Sequence, residues 1–276
     1  MKKYSIGFIG GGNMAASIIG GLIADGFPAE AIFVAEPNEE ARSQLAARFG
    51  ICTETDNNAI AKQVDVLLLA VKPQVIKDVA EQIATNVQNN KSLVVSIAAG
   101  IRSSDLAGWL GGNVALVRSM PNTPALVQSG ATGLFANAQV SESQREQAES
   151  ILRAVGITVW LEDEAQIDAV TALSGSGPAY IFYVVEVMEK AGIKLGLDAI
   201  TARRLAVQTA FGAAKLALES SDDPAVLREK VTSPGGTTER ALSVLREGGL
   251  ESLFMEALQS ASDRAAELAD QLGNNK

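Results

Sequence analysis

Through the first part of the chain, short apolar runs alternate with amphipathic segments. Residues 5–9, 31–35, 64–71, 93–97, 114–118, 131–135 and 156–161 read as strands. Between the first two runs, Met14, Ile18, Ile19, Leu22 and Ile23 recur at helical spacing and stop at Gly26. Asn38 is placed to cap a helix running through Phe49, and further helices are predicted over 74–86 and 141–154. The 64–71 run is apolar apart from Asp65, which suits a central strand covered on both faces. Strands alternating with helices in this way predict a mostly parallel sheet with helices packed on it.

From about residue 162 the strand signals vanish. Helices are predicted over 164–173, 178–191, 198–219, 223–231, 238–246 and 251–272. Pro178 suits a first helical turn, and Gly192 and Gly248 suit helix ends. Ile181, Val184, Val185 and Met188 form an apolar face that asks for a partner surface. The expected organisation is an α/β domain over 1–162 followed by an all-α dimerisation domain over 163–276.

The junction of the first strand and helix carries the first candidate chemistry. Gly10-Gly11-Gly12-Asn13-Met14-Ala15 fits the G-x-G-x-x-[GA] pattern directly after Ile9. Gly10 allows the tight turn, Gly12 lets main chain approach a pyrophosphate, and Ala15 permits close helix–strand packing. The free N–H groups and dipole of the helix start favour an anion. The first domain is therefore expected to be a Rossmann-type dinucleotide-binding domain. Glu36 stands where such folds hold the adenosine ribose hydroxyls and would repel a 2′-phosphate, which favours NADH. Asn38 and Arg42 are close enough to receive that phosphate if Glu36 turns away, so NADH and NADPH both stay open. Ala70-Val71-Lys72-Pro73 ends the 64–71 strand, where ligands meet such sheets. The small residues Ala98-Ala99-Gly100 leave room for a nicotinamide ring or simply pack a tight turn.

A second candidate lies at Thr232-Ser233-Pro234-Gly235-Gly236-Thr237-Thr238. Glycines and hydroxyls run straight into a helix start, which can receive a small carboxylate. The alternative is a helix–turn–helix corner with Thr237 or Thr238 as its cap.

Composition narrows the chemistry. The 276 residues include no histidine and a single cysteine, which excludes Cys/His zinc sites and Ser-His-Asp or Cys-His catalysis. No metal site is expected. Chemistry must then come from a cofactor with hydroxyls, backbone amides, Lys or carboxylates. Cys52 suits a reducing cytoplasm and is expected as a buried apolar filler. The net charge of −9 and the lack of a basic run argue against nucleic-acid or anionic-membrane partners. The apolar stretch after Met1-Lys2-Lys3 is interrupted by the glycine turn, so it reads as the cofactor strand and not as a secretory signal.

Val231-Thr232-Ser233-Pro234-Gly235-Gly236-Thr237-Thr238 resembles the signature of pyrroline-5-carboxylate reductase. The resemblance extends to the Ile9–Ala15 turn, Ala70-Val71-Lys72-Pro73, Met120-Pro121-Asn122-Thr123-Pro124, and the run from Asp168 through Gly175 to Tyr180. It implies reduction of 1-pyrroline-5-carboxylate to L-proline by hydride from NADPH or NADH. It also implies that Ile9, Gly10, Gly11, Gly12, Asn13, Met14, Ala15, Glu36, Asn57, Ala70, Val71, Lys72, Pro73, Ile97, Ala98 and Ala99 line the cofactor. Ser233, Gly236, Thr237 and Thr238 would hold the substrate, with Glu164 near the ring nitrogen and Thr238 in the catalytic role. Interlocked helical halves would make a homodimer, with rings of dimers as higher assemblies. Two other readings remain: a β-hydroxyacid dehydrogenase using Lys190, Lys194 or Lys215, and a non-enzymatic dinucleotide-binding regulator.

Overall fold

The computed structural model describes residues 4–273; the opening lysines at 2 and 3 lie outside that range. The chain divides into two compact units, Met1–Gly175 with Ala261–Lys276, and Ser176–Ser260. This break by compactness falls later than the 162/163 boundary read from the sequence, and it returns the C-terminal residues to the first unit.

The first unit is built on one sheet. Its strands are β1 (Ile6–Ile9), β2 (Ile32–Ala35), β3 (Cys52–Glu54), β4 (Val66–Leu69), β5 (Leu93–Ser96), β6 (Leu116–Met120), β7 (Gly130–Ala136) and β8 (Gly156–Trp160). Helices α1 (Asn13–Ala24), α2 (Glu39–Phe49), α3 (Asn57–Ala61), α4 (Ile76–Asn90), α5 (Ser103–Trp109), α6 (Glu142–Arg153) and α7 (Gln166–Val170) connect or follow them. The strand order is β3-β2-β1-β4-β5-β6-β7-β8. Pairing is parallel from β3 to β6, antiparallel between β6 and β7, and parallel again between β7 and β8. This is the expected Rossmann-type fold with two reversed strands added at one edge.

Alternate residues of the central strands feed opposite faces. Phe8, Val66 and Leu68 pack with Ile18, Ile19 and Leu22 of α1. Ile9, Leu67 and Leu69 pack on the other side with Ile60, Ile83 and Leu106. The register aligns Ile9 with both Ala35 and Leu69. Gly10, Glu36 and Ala70 therefore emerge side by side at the carboxyl ends of three strands, on either side of the point where strand order reverses. Ligands of such sheets bind there.

Local chemistry accounts for several boundaries. The Asn38 side chain accepts a 2.9 Å bond from the Ala41 amide and starts α2 as expected. Ser141 and Gln144 form a reciprocal capping box on α6. β6 begins later than residue 114, because the Asn137 amide brackets that stretch through Val114 O and Leu116 N. The short elements β3, α3 and α5 lack a strong apolar period and escape the sequence reading. Cys52 is exposed rather than buried, because it lies on the edge strand β3.

The second unit holds α8 (Gly177–Lys194), α9 (Ala199–Glu219), α10 (Pro224–Lys230), α11 (Thr237–Glu247) and the first part of α12 (Leu250–Gly273). Gly192 does not end α8. The helix runs to Lys194, and Gly192 instead admits Ala202, whose Cβ would lie 3.2 Å from an added Cβ. Ala202 and Ala206 are the buried apolar residues among those described in this unit, while Phe182 and Leu218 are 69% and 78% exposed. Tyr183, Phe211, Leu253 and Met255 are exposed as well. So much uncovered apolar surface marks an interface.

Candidate functional site

The glycine turn shows what each small residue does. Gly10 has φ +97°, and a Cβ there would meet Ala70 O at 2.8 Å, so both backbone and space exclude a side chain. Gly12 differs. Its φ of −69° suits any residue, and a Cβ would meet nothing within 4 Å. Folding places no demand for glycine there, and its absent side chain leaves the main chain of the turn open. Gly12 is the N-cap of α1 with no side-chain cap. The first bond of that helix runs from Ala16 N to Gly12 O. The amides of Asn13, Met14 and Ala15 thus have no partner among the described residues. Three free donors beside an open face fit a pyrophosphate. Ala15 is buried at the helix–strand contact.

Glu36 turns toward this loop. Its Oε2 accepts from Gly11 N and its Oε1 from Asn38 N, each at 2.9 Å. The Arg42 guanidinium donates to the carbonyls of Glu36 and Pro37. Asn57 donates its side-chain amide to Gln82. Ala70, Val71 and Pro73 are half-buried and Lys72 is exposed, where the chain leaves β4. After β5, Ile97 is half-buried and Ala99 exposed, while the Ala98 side chain belongs to the core.

Glu164 sits in the first unit with its carboxylate fully engaged. Ser103 N donates to it at 2.6 Å, Ser103 Oγ donates to the other oxygen, and Arg118 Nη1 donates at 2.9 Å. Arg118 is only 4% exposed, and its Nη2 lies 3.8 Å from Asp168 Oδ1. Arg118 Nε has no hydrogen-bond partner among the described residues. Burial raises the Asp168 carboxyl above its ordinary value, an effect that Arg118 and then Arg102 partly offset. Arg102 in turn pairs with Asp270 at 2.6 Å. Arg118 was missed in the sequence reading, although a lone arginine inside an apolar strand is itself a signal of a buried ion pair. Asn122 lies in the loop between Pro121 and Pro124, where the sequence offers it no role. It donates to Ser174 O and accepts from Ala131 N, stapling that loop between β7 and the π-turn Thr171–Gly175.

In the second unit, Gly235 has φ +72° and Gly236 is the N-cap of α11 without a side-chain cap. Neither threonine hydroxyl therefore caps this helix. Gly236 N bonds Ser233 O, and Arg240 N bonds Gly236 O, which leaves the amides of Thr237, Thr238 and Glu239 without a partner among the described residues. Glu239 closes the turn by accepting from Gly235 N at 2.6 Å. Thr238 is half-buried, whereas Ser233 and Thr237 are exposed. The three lysines of the β-hydroxyacid dehydrogenase reading are exposed, with Lys190 paired to Glu186 and Lys215 to Glu219. Ordinary solvated helix residues look like this.

Two uncapped helix starts with free amides, one of them on a Rossmann-type sheet, are the arrangement of a nicotinamide-dinucleotide oxidoreductase. Comparison with known proteins agrees. Residues 5–100 match the family described as NADP oxidoreductase coenzyme F420-dependent, and 164–268 match pyrroline-5-carboxylate reductase dimerisation. The pyrroline-5-carboxylate reductase of Pseudomonas aeruginosa is 54% identical over 99% of this chain and 100% of its own. The structure of the Coxiella burnetii enzyme superposes with a TM-score of 0.94 at 46% identity, covering 97% of this chain and 99% of that one. A Plasmodium falciparum pyrroline carboxylate reductase with NADP bound follows at 0.85 and 26%, covering 98% and 99%. The chain belongs to the pyrroline-5-carboxylate reductase family. The reaction of that family is reduction of 1-pyrroline-5-carboxylate to proline with NAD(P)H, and its dimerisation region makes the chain self-associating. No helix among the described residues is long and apolar enough to cross a membrane.

Proposed function

We propose that the start of α1 holds the cofactor pyrophosphate and the start of α11 holds the carboxylate of 1-pyrroline-5-carboxylate. The observation that carries this assignment is that both starts leave three amides behind a glycine turn with no partner among the described residues. When bound, NAD(P)H supplies the hydride. The protein's part is to fix the imine carbon and exclude water. The substrate's cyclic imine is basic enough to take a proton from solvent, so no strong general acid is required and a histidine-free chain suffices. The Gly236 amide, expected from the sequence to take the carboxylate, is spent on Ser233 O. The Thr237 and Thr238 amides take it instead, with Gly236 and Ser233 beside them, and the Thr238 hydroxyl orients the ring nitrogen. Glu164 is assigned to that nitrogen because the family resemblance implies it, and its carboxylate is oriented by Arg118 and Ser103. Around the cofactor stand the Ile9–Ala15 turn, Glu36, Asn57, Ala70–Pro73 and Ile97–Ala99.

Oxidation of NAD(P)H on adding the cyclic imine tests the reaction; silence with the imine but turnover of 3-hydroxy acids would favour the rival dehydrogenase. In the same assay Thr238→Ala is expected to lower kcat by about 10- to 100-fold with cofactor affinity unchanged. Unaltered turnover in that variant removes Thr238 from the mechanism. The exposed apolar faces of α8 and α9 support a homodimer, with rings of dimers as its higher assembly. A native mass equal to one 28.8 kDa chain would contradict that assembly. The cytoplasm, with no nucleic-acid or membrane partner, suits the lone cysteine and the charge of −9.

A further inference from the structure

The family likeness does not choose between the two nicotinamide cofactors, since one solved relative carries NADP. The adenosine end of the first site does. An acidic residue at the end of β2 meets the ribose 2′- and 3′-hydroxyls of NAD, whereas NADP brings a dianionic phosphate to the same place. A carboxylate there is compatible with NADP only if it swings aside or if nearby cations outweigh it.

The structure holds the carboxylate where it is. Swinging Glu36 aside would strip two main-chain donors, Gly11 N and Asn38 N, of their acceptors. The surroundings are shaped around the observed position. A Cβ on Gly11 would come within 3.3 Å of Glu36 Cβ and Cγ and within 2.5 Å of Leu45 Cδ1. The middle residue of the glycine motif is thus glycine because Glu36 and Leu45 lie flush against it. The two side chains nearest such a phosphate are tied to the local main chain: Asn38 Oδ1 caps α2, and Arg42 Nη1 donates to the carbonyls of Glu36 and Pro37. The first turn of α2 adds two further carboxylates, Glu39 and Glu40.

We infer that Glu36 makes this chain selective for NADH, by fixing a carboxylate where the 2′-phosphate of NADPH would have to lie. The inference rests on the dinucleotide reading of the glycine turn and adds the choice between cofactors.

The test is direct titration of the full-length protein with NADH and with NADPH, followed by nicotinamide fluorescence. Competition by ADP and by 2′,5′-ADP reports the adenosine end alone. The expected result is at least tenfold tighter binding of NADH, and the same preference for ADP over 2′,5′-ADP. Glu36→Gln keeps an oxygen that can accept from Gly11 N but removes the charge. It is expected to shrink both preferences by tenfold or more with an unchanged melting temperature. Equal or tighter binding of NADPH by the unaltered protein overturns the inference. A preference for NADH that survives in both Glu36→Gln and Glu36→Ser also overturns it, since the selectivity would then lie elsewhere. Failure to bind either dinucleotide would sink the glycine-turn reading as well. Selective NADH binding without reduction of the cyclic imine would sink only the proposed reaction.

Discussion

Gly12→Val is expected to leave the fold intact and to cost the protein its cofactor. The backbone at Gly12 already has an ordinary φ of −69°, and an added Cβ meets nothing within 4 Å. The melting temperature should therefore stay near that of the unaltered protein. The valine would instead project over the free amides of α1, where the pyrophosphate has to reach the main chain. Affinity for NAD(P)H should fall by about a hundredfold or more, equivalent to roughly 3 kcal/mol. Gly10→Ala is the matching control with the opposite signature. Its φ of +97° and the 2.8 Å approach to Ala70 O make an alanine strained in the folded chain, by about 1–3 kcal/mol. Thermal melting and fluorescence titration of both variants separate the two kinds of glycine. Normal dinucleotide affinity in Gly12→Val would mean that the ligand does not use this helix start.

Arg118→Met should destabilise the protein by about 3–5 kcal/mol at neutral pH. Methionine fills much the same space, but it leaves the Glu164 and Asp168 carboxylates without their buried counter-charge. The loss carries a pH signature whose sign follows from linkage. Burial already holds the Asp168 carboxyl above its ordinary value even with Arg118 present. Removing the arginine takes away the largest opposing influence and raises it further. A folded-state carboxyl above its unfolded value binds more protons when folded, so stability rises as pH falls toward that raised value. The deficit of Arg118→Met should shrink on mild acidification. Urea unfolding at neutral and mildly acidic pH, at one protein concentration, measures both effects. A deficit that grows on acidification, or no deficit at neutral pH, would show that Arg118 is not what neutralises this cluster.

The glycine turn was readable because its chemistry is local. A strand, three glycines and a helix start occupy consecutive residues, and hydrophobic period alone identifies the elements on either side. The Ser233–Thr238 corner was readable for the same reason, although its cap is Gly236 and not a threonine hydroxyl. The Glu164 network was not readable as a unit. Ser103, Arg118, Glu164 and Asp168 come from α5, β6, the segment before α7, and α7 itself, and no periodicity links them. Gly192 misled because a helix can carry glycine in its interior when a neighbouring helix needs the space, here at Ala202. Cys52 misled because cysteine's usual burial does not hold on a three-residue edge strand.

Taken alone, the order of residues settled that a Rossmann-type half precedes a helical half, and it marked the two glycine-rich helix starts at Gly12 and Gly236. These follow from short-range spacing. The conformation of Glu36 was a tertiary decision, because only the pairing of β1 with β2 brings Gly11 N within reach of its carboxylate. The burial of Arg118 was another, since a charge in a strand becomes costly or useful only once the sheet and α7 close over it. Local sequence can announce a main-chain anion site, but the partners of a buried charge are distant in the chain and exist only after folding.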